Sequence, residues 1–239
     1  MIAAFFGGGL AAASLLIGFA LAGRGLSNRS IGMIMGVGAG ALISAIAYEL
    51  IPESALAGSD MAFAFGLGAI AFFAGDWLID HRGGGKRKAI ASGQVTGSGA
   101  AIFIGTLLDN VPESIILGMS LALGGAINVA FLAAVFISNL PEGVAGSINL
   151  QAAGYSRRKV LWMWTLLVLV SAACAGLGYA AAHWLPAVDG RAAQAFAAGA
   201  MLTMLADAMM PEAFEHGGKL VGLFTVFGFM AAAVLSFAD

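Results

Sequence analysis

The chain carries little charge. Of its 239 residues, 11 are Lys or Arg and 13 are Asp or Glu, so that charged residues make up 10%, against about 25% in an average soluble protein. Hydrophobic residues reach 60%, which is more than a soluble fold of this size can bury. The single cysteine, Cys174, excludes a disulfide framework and a cysteine-based metal cluster. A net charge of −2 gives no sign of a nucleic-acid partner, and none is predicted.

The apolar runs are long and do not alternate, which excludes a closed β-barrel and predicts an all-α integral membrane protein in a lipid bilayer. A helix needs about 20 residues to cross the bilayer. Because the first run lacks a basic N-terminal region, we expect a retained span rather than a cleaved signal. A single transmembrane domain is predicted over residues 1–239, with eight spans at about 2–23, 31–52, 61–80, 94–122, 126–150, 160–184, 191–212 and 219–238.

Basic residues are concentrated in the odd-numbered loops between these spans. The even loops hold only Arg191, at the edge of the seventh span. The positive-inside rule therefore predicts that the odd loops are cytoplasmic and that both termini lie outside. The other ten basic residues, all in odd loops, are Arg24, Arg29, Arg82, Lys86, Arg87, Lys88, Arg157, Arg158, Lys159 and Lys219.

Proline is also scarce, and four of the five prolines are followed by glutamate. A proline inside a helix frees the carbonyl four residues earlier, and in lipid that carbonyl must find protein, water or an ion as a partner. A buried carboxylate is costly unless it is paired or coordinated. The combination predicts a polar cavity that can take a cation. The four pairs are Pro52-Glu53, Pro112-Glu113, Pro141-Glu142 and Pro211-Glu212.

Oxygen-bearing side chains surround the two pairs that lie deep in the fourth and fifth spans. In each span two adjacent polar residues are followed by a glutamate, which comes four positions after the first and three after the second. This spacing places all three side chains on one helix face. Three carboxylates, two amides and a hydroxyl can therefore converge. The predicted metal ligands are Asp109, Asn110 and Glu113 in the fourth span and Ser138, Asn139 and Glu142 in the fifth.

The second and seventh spans end in the same acid-then-Pro-Glu pattern, at opposite faces of the membrane. This predicts an inverted repeat of spans 1–3 and 6–8 around central spans 4–5, an architecture that many transporters share. Glu49 and Glu53 are the predicted entrance residues. Asp207, Glu212 and His216 are the predicted exit residues.

Other polar, aromatic and sulfur-bearing side chains are predicted to be structural. Asp76, near the end of the third span, is interpreted as an interfacial residue that reaches water. Trp162, Trp164 and Trp184 are typical of interfacial and lipid-facing aromatics. The methionines are predicted to pack rather than to bind a soft metal: Met33, Met35, Met201, Met204, Met209 and Met210.

These motifs resemble the ZIP family of divalent-metal transporters, especially its bacterial GufA-like branch, over nearly the whole chain. The family motif His-Asn-x-Pro-Glu-Gly corresponds to residues 109–114, and the similar motif of the fifth span to residues 138–143. The resemblance implies a homodimeric carrier in a bacterial inner (plasma) membrane that moves a divalent metal into the cytoplasm. Zinc, manganese or iron would be the substrate, and cadmium a surrogate.

The chain departs from the family pattern at the metal-binding positions. Asp109 replaces a histidine, Ser138 and Asn139 replace His or Gln and a frequent Asp, and Ser171 aligns with a frequent glutamate. The resulting oxygen-only site favours harder ions such as Mn²⁺ and Fe²⁺ over Zn²⁺, and we expect one metal rather than two. The alternative is a membrane metal sensor or scaffold that does not transport. An enzyme is not predicted, because an intramembrane hydrolase would need a mid-span histidine base.

Overall fold

The structure is a computed structural model that describes residues 1–51, 58–79, 81, 99–124, 127–184 and 190–238. Within these ranges the chain is helical and contains no strand, so the predicted all-α class is confirmed. The helices are α1 Ile2–Ala22, α2 Asn28–Leu50, α3 Ser59–Ile79, α4 Gly99–Gly124, α5 Val129–Ala152, α6 Arg157–Trp184, α7 Gly190–Gly217 and α8 Leu220–Ser236.

Seven of these helices, α1 to α7, are long and apolar enough to cross a membrane, while α8 is apolar but has only 17 residues. Where the structure describes both, the helix ends lie within a few residues of the expected span ends, except at the end of the seventh span. The expected bounds at residues 52, 80, 94 and 126 lie outside the described residues. The seventh span was expected to end at residue 212, but α7 continues to Gly217. Gly218, with φ of +65°, ends the helix in the left-handed region that glycine adopts most easily.

Two helices begin one residue after a side chain that caps them. The Ser27 hydroxyl accepts a hydrogen bond from the Ser30 N–H (3.1 Å) and starts α2 three residues before the predicted boundary. The Asn128 side-chain oxygen accepts one from the Phe131 N–H (2.8 Å) and starts α5. Such caps satisfy N–H groups that have no partner within the helix.

Short π-helical segments occur at the end of α2 and within α7, at corresponding places in the sequence. They cover Ile46–Leu50 and Leu205–Met209. In both helices the segment ends two residues before the proline of a Pro-Glu pair. Because π-helical turns are rare and occur frequently at functional sites, their occurrence at matched positions singles out these two helices.

The helices approach one another most closely at glycines. A Cβ atom at Gly68 of α3 would collide with the Phe196 carbonyl of α7, and one at Gly228 of α8 would collide with the Val37 carbonyl of α2. Small residues permit this backbone-to-backbone packing in membrane proteins. Comparable crossings pair α1 with α5 and α4 with α6, through Gly18, Gly143, Gly118 and Gly178.

Two of the structural interpretations from the sequence are wrong. Asp76 is 4% exposed and lies with Gly68 and Phe72 on the narrow buried stripe of α3, at a spacing of four residues. Trp164 is fully buried on the face of α6 that packs inward, and its indole N–H donates to the Ser147 hydroxyl (2.8 Å). In both cases the helix face, rather than the distance from the helix end, decides what the side chain contacts.

Candidate metal site

One cavity lies where α4 and α5 face α2 and α7, and it contains four of the six predicted ligands. Its volume is about 10 Å³, which is room for roughly one water molecule or one metal ion without its hydration shell. The residues that line it are Met35, Glu113, Ser138, Asn139, Pro141, Glu142, Met204 and Met209.

Three of the four polar residues in the wall of this cavity are buried, and Glu142 is half-buried. Glu113 and Asn139 are 2% exposed and Ser138 is 5% exposed. The carboxylate oxygens Glu113 Oε2 and Glu142 Oε1 are both buried. Two charged carboxylates that share a small cavity repel each other, and a cation or a proton there relieves the repulsion. The cavity is therefore built for positive charge.

Asn110 and Asn139 join the two proline-containing helices. The Asn139 side-chain N–H donates to Asn110 Oδ1 (3.0 Å), and the Asn110 side-chain N–H donates to the Thr106 carbonyl (3.0 Å). Asn110 is 1% exposed but does not contribute to the described cavity wall. This geometry indicates that Asn110 positions Asn139 and is not itself a direct metal ligand.

Asp109 is buried on α4, at 3% exposure, next to Asn110 in sequence. Like Asn110, it is not part of the cavity wall in the described part of the chain. The structure thus brings Glu113, Ser138, Asn139 and Glu142 together and leaves Asp109 outside that wall.

Three helices meet at the level of Ser138. The Ser138 hydroxyl donates to the Val135 carbonyl of its own helix (2.9 Å). A Cβ atom at Gly38 of α2 would lie 2.8 Å from Ser138 Cα and 3.0 Å from the terminal methyl of Met209 in α7. The absence of a side chain at Gly38 lets α2 and α7 close the cavity against α5.

Three methionines, Met35, Met204 and Met209, line the cavity beside the oxygen-bearing residues. All three are buried, at 2%, 3% and 4% exposure. The sequence gives little sign of the α7 pair, since residues five apart in an α-helix point about 140° away from each other.

The C-terminal end of α2, which is the end predicted to face outward, is hydrogen-bonded to the residue that caps α5. Glu49 lies in the π-helical segment of α2, and its Oε2 accepts a hydrogen bond from the Asn128 side chain that caps α5. Asn128 was not predicted as a partner, and its position just before α5 was the signal that could have found it. Glu53, the second predicted entrance residue, lies outside the described residues.

The end of α7 carries a cluster of Glu212, Glu215 and His216, here called the α7-end cluster. His216 Nδ1 lies 3.0 Å from Glu212 Oε1. One ligand atom from each of the three residues lies within 4.8 Å of the others. Glu215 was missed, although its spacing of three from Glu212 places it on the same helix face.

Asp207, the remaining predicted exit residue, is separate from this cluster. It is exposed and lines an open groove together with Phe73 of α3 and Thr203 of α7. The three predicted exit residues therefore lie at two separate places on α7. Glu212 and His216 are in contact, and Asp207 lies apart from them.

Helix α2 shows how the cavity lies relative to the two polar ends. Gly32 packs against the backbone of Gly217, so the α7-end cluster lies beside the start of α2. Glu49 follows Gly32 by 17 residues, or about 25 Å of helix, and Gly38 at the cavity is about 9 Å from Gly32. The cavity thus lies between two polar ends on opposite sides of the helix bundle.

The sequence was also compared with protein-family models and with curated proteins. No family model matches it, and no curated protein matches it at a significant level. The function is therefore inferred from the geometry of the cavity and of the two polar ends.

Proposed function

We propose that the protein is a ZIP-like carrier that moves a divalent metal cation across a membrane. The observation that carries this proposal is the buried cavity in which Glu113 of α4 meets Asn139 and Glu142 of α5. Both helices contain a proline within the span, at Pro112 and Pro141. Proline-interrupted helices that enclose a polar site in the middle of the bilayer are typical of transporters.

The composition of the cavity supports a single divalent cation. Two carboxylates balance two positive charges, while Asn139 and Ser138 add neutral oxygen atoms. A volume of about 10 Å³ leaves room for one ion, in line with the one-metal expectation. No Lys or Arg is among the residues that line the cavity, which disfavours an anion as the substrate.

The two polar ends give the ion a route. In the predicted orientation, the ion enters near Glu49, reaches Glu113 and Glu142, and leaves beside the α7-end cluster into the cytoplasm. The separation of these groups along α2 supports this order. Carboxylates at each end also concentrate cations at the mouths of the path.

An inverted repeat over eight spans, with α8 as the last, would let the site open to each side in turn. Matched intervals along the chain support it. The π-helical segment of α7 begins 159 residues after that of α2, at Leu205 and Ile46. Among the crossing glycines, Gly199 follows Gly40 by the same interval, and Gly228 follows Gly68 by 160 residues. At these glycines the second helix of each repeat crosses the third helix of the other, α2 with α8 and α7 with α3.

The test is metal uptake into proteoliposomes, with Zn²⁺, Mn²⁺, Fe²⁺ and Cd²⁺ compared. We expect Glu113→Gln and Glu142→Gln each to lower uptake by roughly 100-fold, because each removes a negative charge from the cavity and keeps the side-chain shape. Asp60→Asn is the matched control, since Asp60 is exposed at the start of α3. Normal uptake by both cavity variants would contradict a carrier mechanism. Tight binding without flux in the wild type would instead support the sensor or scaffold.

A further inference from the structure

The wall of the cavity contributed by α2 and α7 contains no described oxygen ligand but carries thioethers. Met204 and Met209 come from α7 and are almost fully buried, at 3% and 4% exposure. The terminal methyl of Met209 lies beside Gly38, which packs against the backbone of Ser138, a residue of the cavity wall. The sulfur-bearing end of Met209 is therefore at the cavity rather than at its edge.

The π-helical segment explains how both methionines reach one cavity. In a continuous α-helix, Met204 and Met209 would point about 140° apart, because successive residues rotate by about 100°. A π-helical turn closes its hydrogen bond over five residues. The segment Leu205–Met209 therefore brings Met209 back to the helix face that Met204 occupies.

We propose that Met204 and Met209 determine which divalent ions the cavity prefers, an inference that rests on the proposed function. Carboxylate and amide oxygens suit hard ions such as Mg²⁺ and Mn²⁺, whereas a thioether is a soft, polarizable donor. A thioether adds no charge, so its contribution is selective: it stabilises Cd²⁺ and Zn²⁺ and leaves Mn²⁺ almost unaffected. The mixed wall favours soft and borderline ions over hard ones.

The experiment measures equilibrium binding in detergent, so that it does not depend on flux. Bound and free Mn²⁺ are distinguished by electron paramagnetic resonance, and Cd²⁺ is titrated in as the competitor. The variants are Met204→Leu, Met209→Leu and the double variant, since Leu replaces Met at little cost in packing. Met201→Leu is the matched control, because Met201 is equally buried on α7 but is not a residue of the cavity wall.

We expect the ratio of the affinities for Cd²⁺ and Mn²⁺ to be roughly tenfold lower in the double variant than in the wild type. This is the lower end of the loss in affinity caused by removing a residue that supports a metal site. We also expect the ¹¹³Cd resonance of the double variant to move upfield, as loss of sulfur near the ion requires. A preference equal to that of Met201→Leu, or a wild type that binds no Cd²⁺, would overturn this inference. Binding with the expected preference but without uptake would contradict only the carrier proposal.

Discussion

The hydrogen bond between Asn110 and Asn139 gives a quantitative test of how α4 and α5 are held together. Both side chains are at most 2% exposed, and their contact of 3.0 Å joins the two proline-containing helices. The perturbation is to replace each by Leu, separately and together. Leu has the same branched arrangement of side-chain heavy atoms as Asn and can make no hydrogen bond, although its larger methyl groups add a packing cost to each substitution.

Each single variant should lower the free energy of unfolding by more than half of the amount that the double variant loses. Asn139→Leu leaves Asn110 Oδ1 without its donor, and Asn110→Leu leaves the Asn139 side-chain N–H without its acceptor. A buried polar group left without a partner costs about 1–3 kcal/mol, whereas replacing both partners avoids that penalty. In membrane proteins such links are worth about 0.6–1.7 kcal/mol, and this is the coupling energy we expect.

The assay is reversible unfolding in mixed micelles, analysed as a double-mutant cycle. The control cycle combines Asn110→Leu with Ser147→Ala, because Ser147 lies eight residues, or about 12 Å, beyond Asn139 along α5. That pair should be additive to within about 0.5 kcal/mol. If the Asn110–Asn139 pair is equally additive, the side chains do not hold the helices together.

The remaining predictions concern one helix crossing and the α7-end cluster. Gly228→Ala should lower the free energy of unfolding by about 1–3 kcal/mol, because its new methyl group meets the α2 backbone. Gly222→Ala on the same helix is the control and should leave the free energy of unfolding almost unchanged, because the space around Gly222 is open. Equal losses of stability in the two variants would contradict close packing at the crossing. Glu215→Gln should slow metal release into the vesicle lumen without changing the affinity of the central cavity, as measured by Cd²⁺ competition. A change in that affinity would show that Glu215 acts on the cavity instead.

Much of the helical fold follows from hydrophobicity, because a run of about 20 apolar residues has few alternatives to a helix in lipid. The convergence of Glu113 and Glu142 was also predictable. Each sits at a fixed spacing from other polar residues, and a costly charge within an apolar span must face the protein interior. These inferences need only local spacing and the chemistry of the bilayer.

The remaining features of the site depend on packing between distant segments. The partner of Asn139 is set by how α4 crosses α5, and periodicity within one helix does not contain that information. Met209 reaches the cavity only because α7 changes its helical register, and Asp76 is buried only because α3 places that face on α7. A pattern of 3.6 residues per turn cannot anticipate a change in the turn itself.

The unequal lengths of α6 and α8 have a consequence for the surrounding bilayer. Helix α8 has 17 residues and rises about 26 Å, while α6 has 28 residues and rises about 42 Å. Lipid beside α8 must become thinner or let the helix ends sink, and α6 must tilt or project into water. In a membrane, these two lengths predict a hydrocarbon layer of uneven thickness around the protein, so that acyl-chain length is a variable to which the helix bundle should respond.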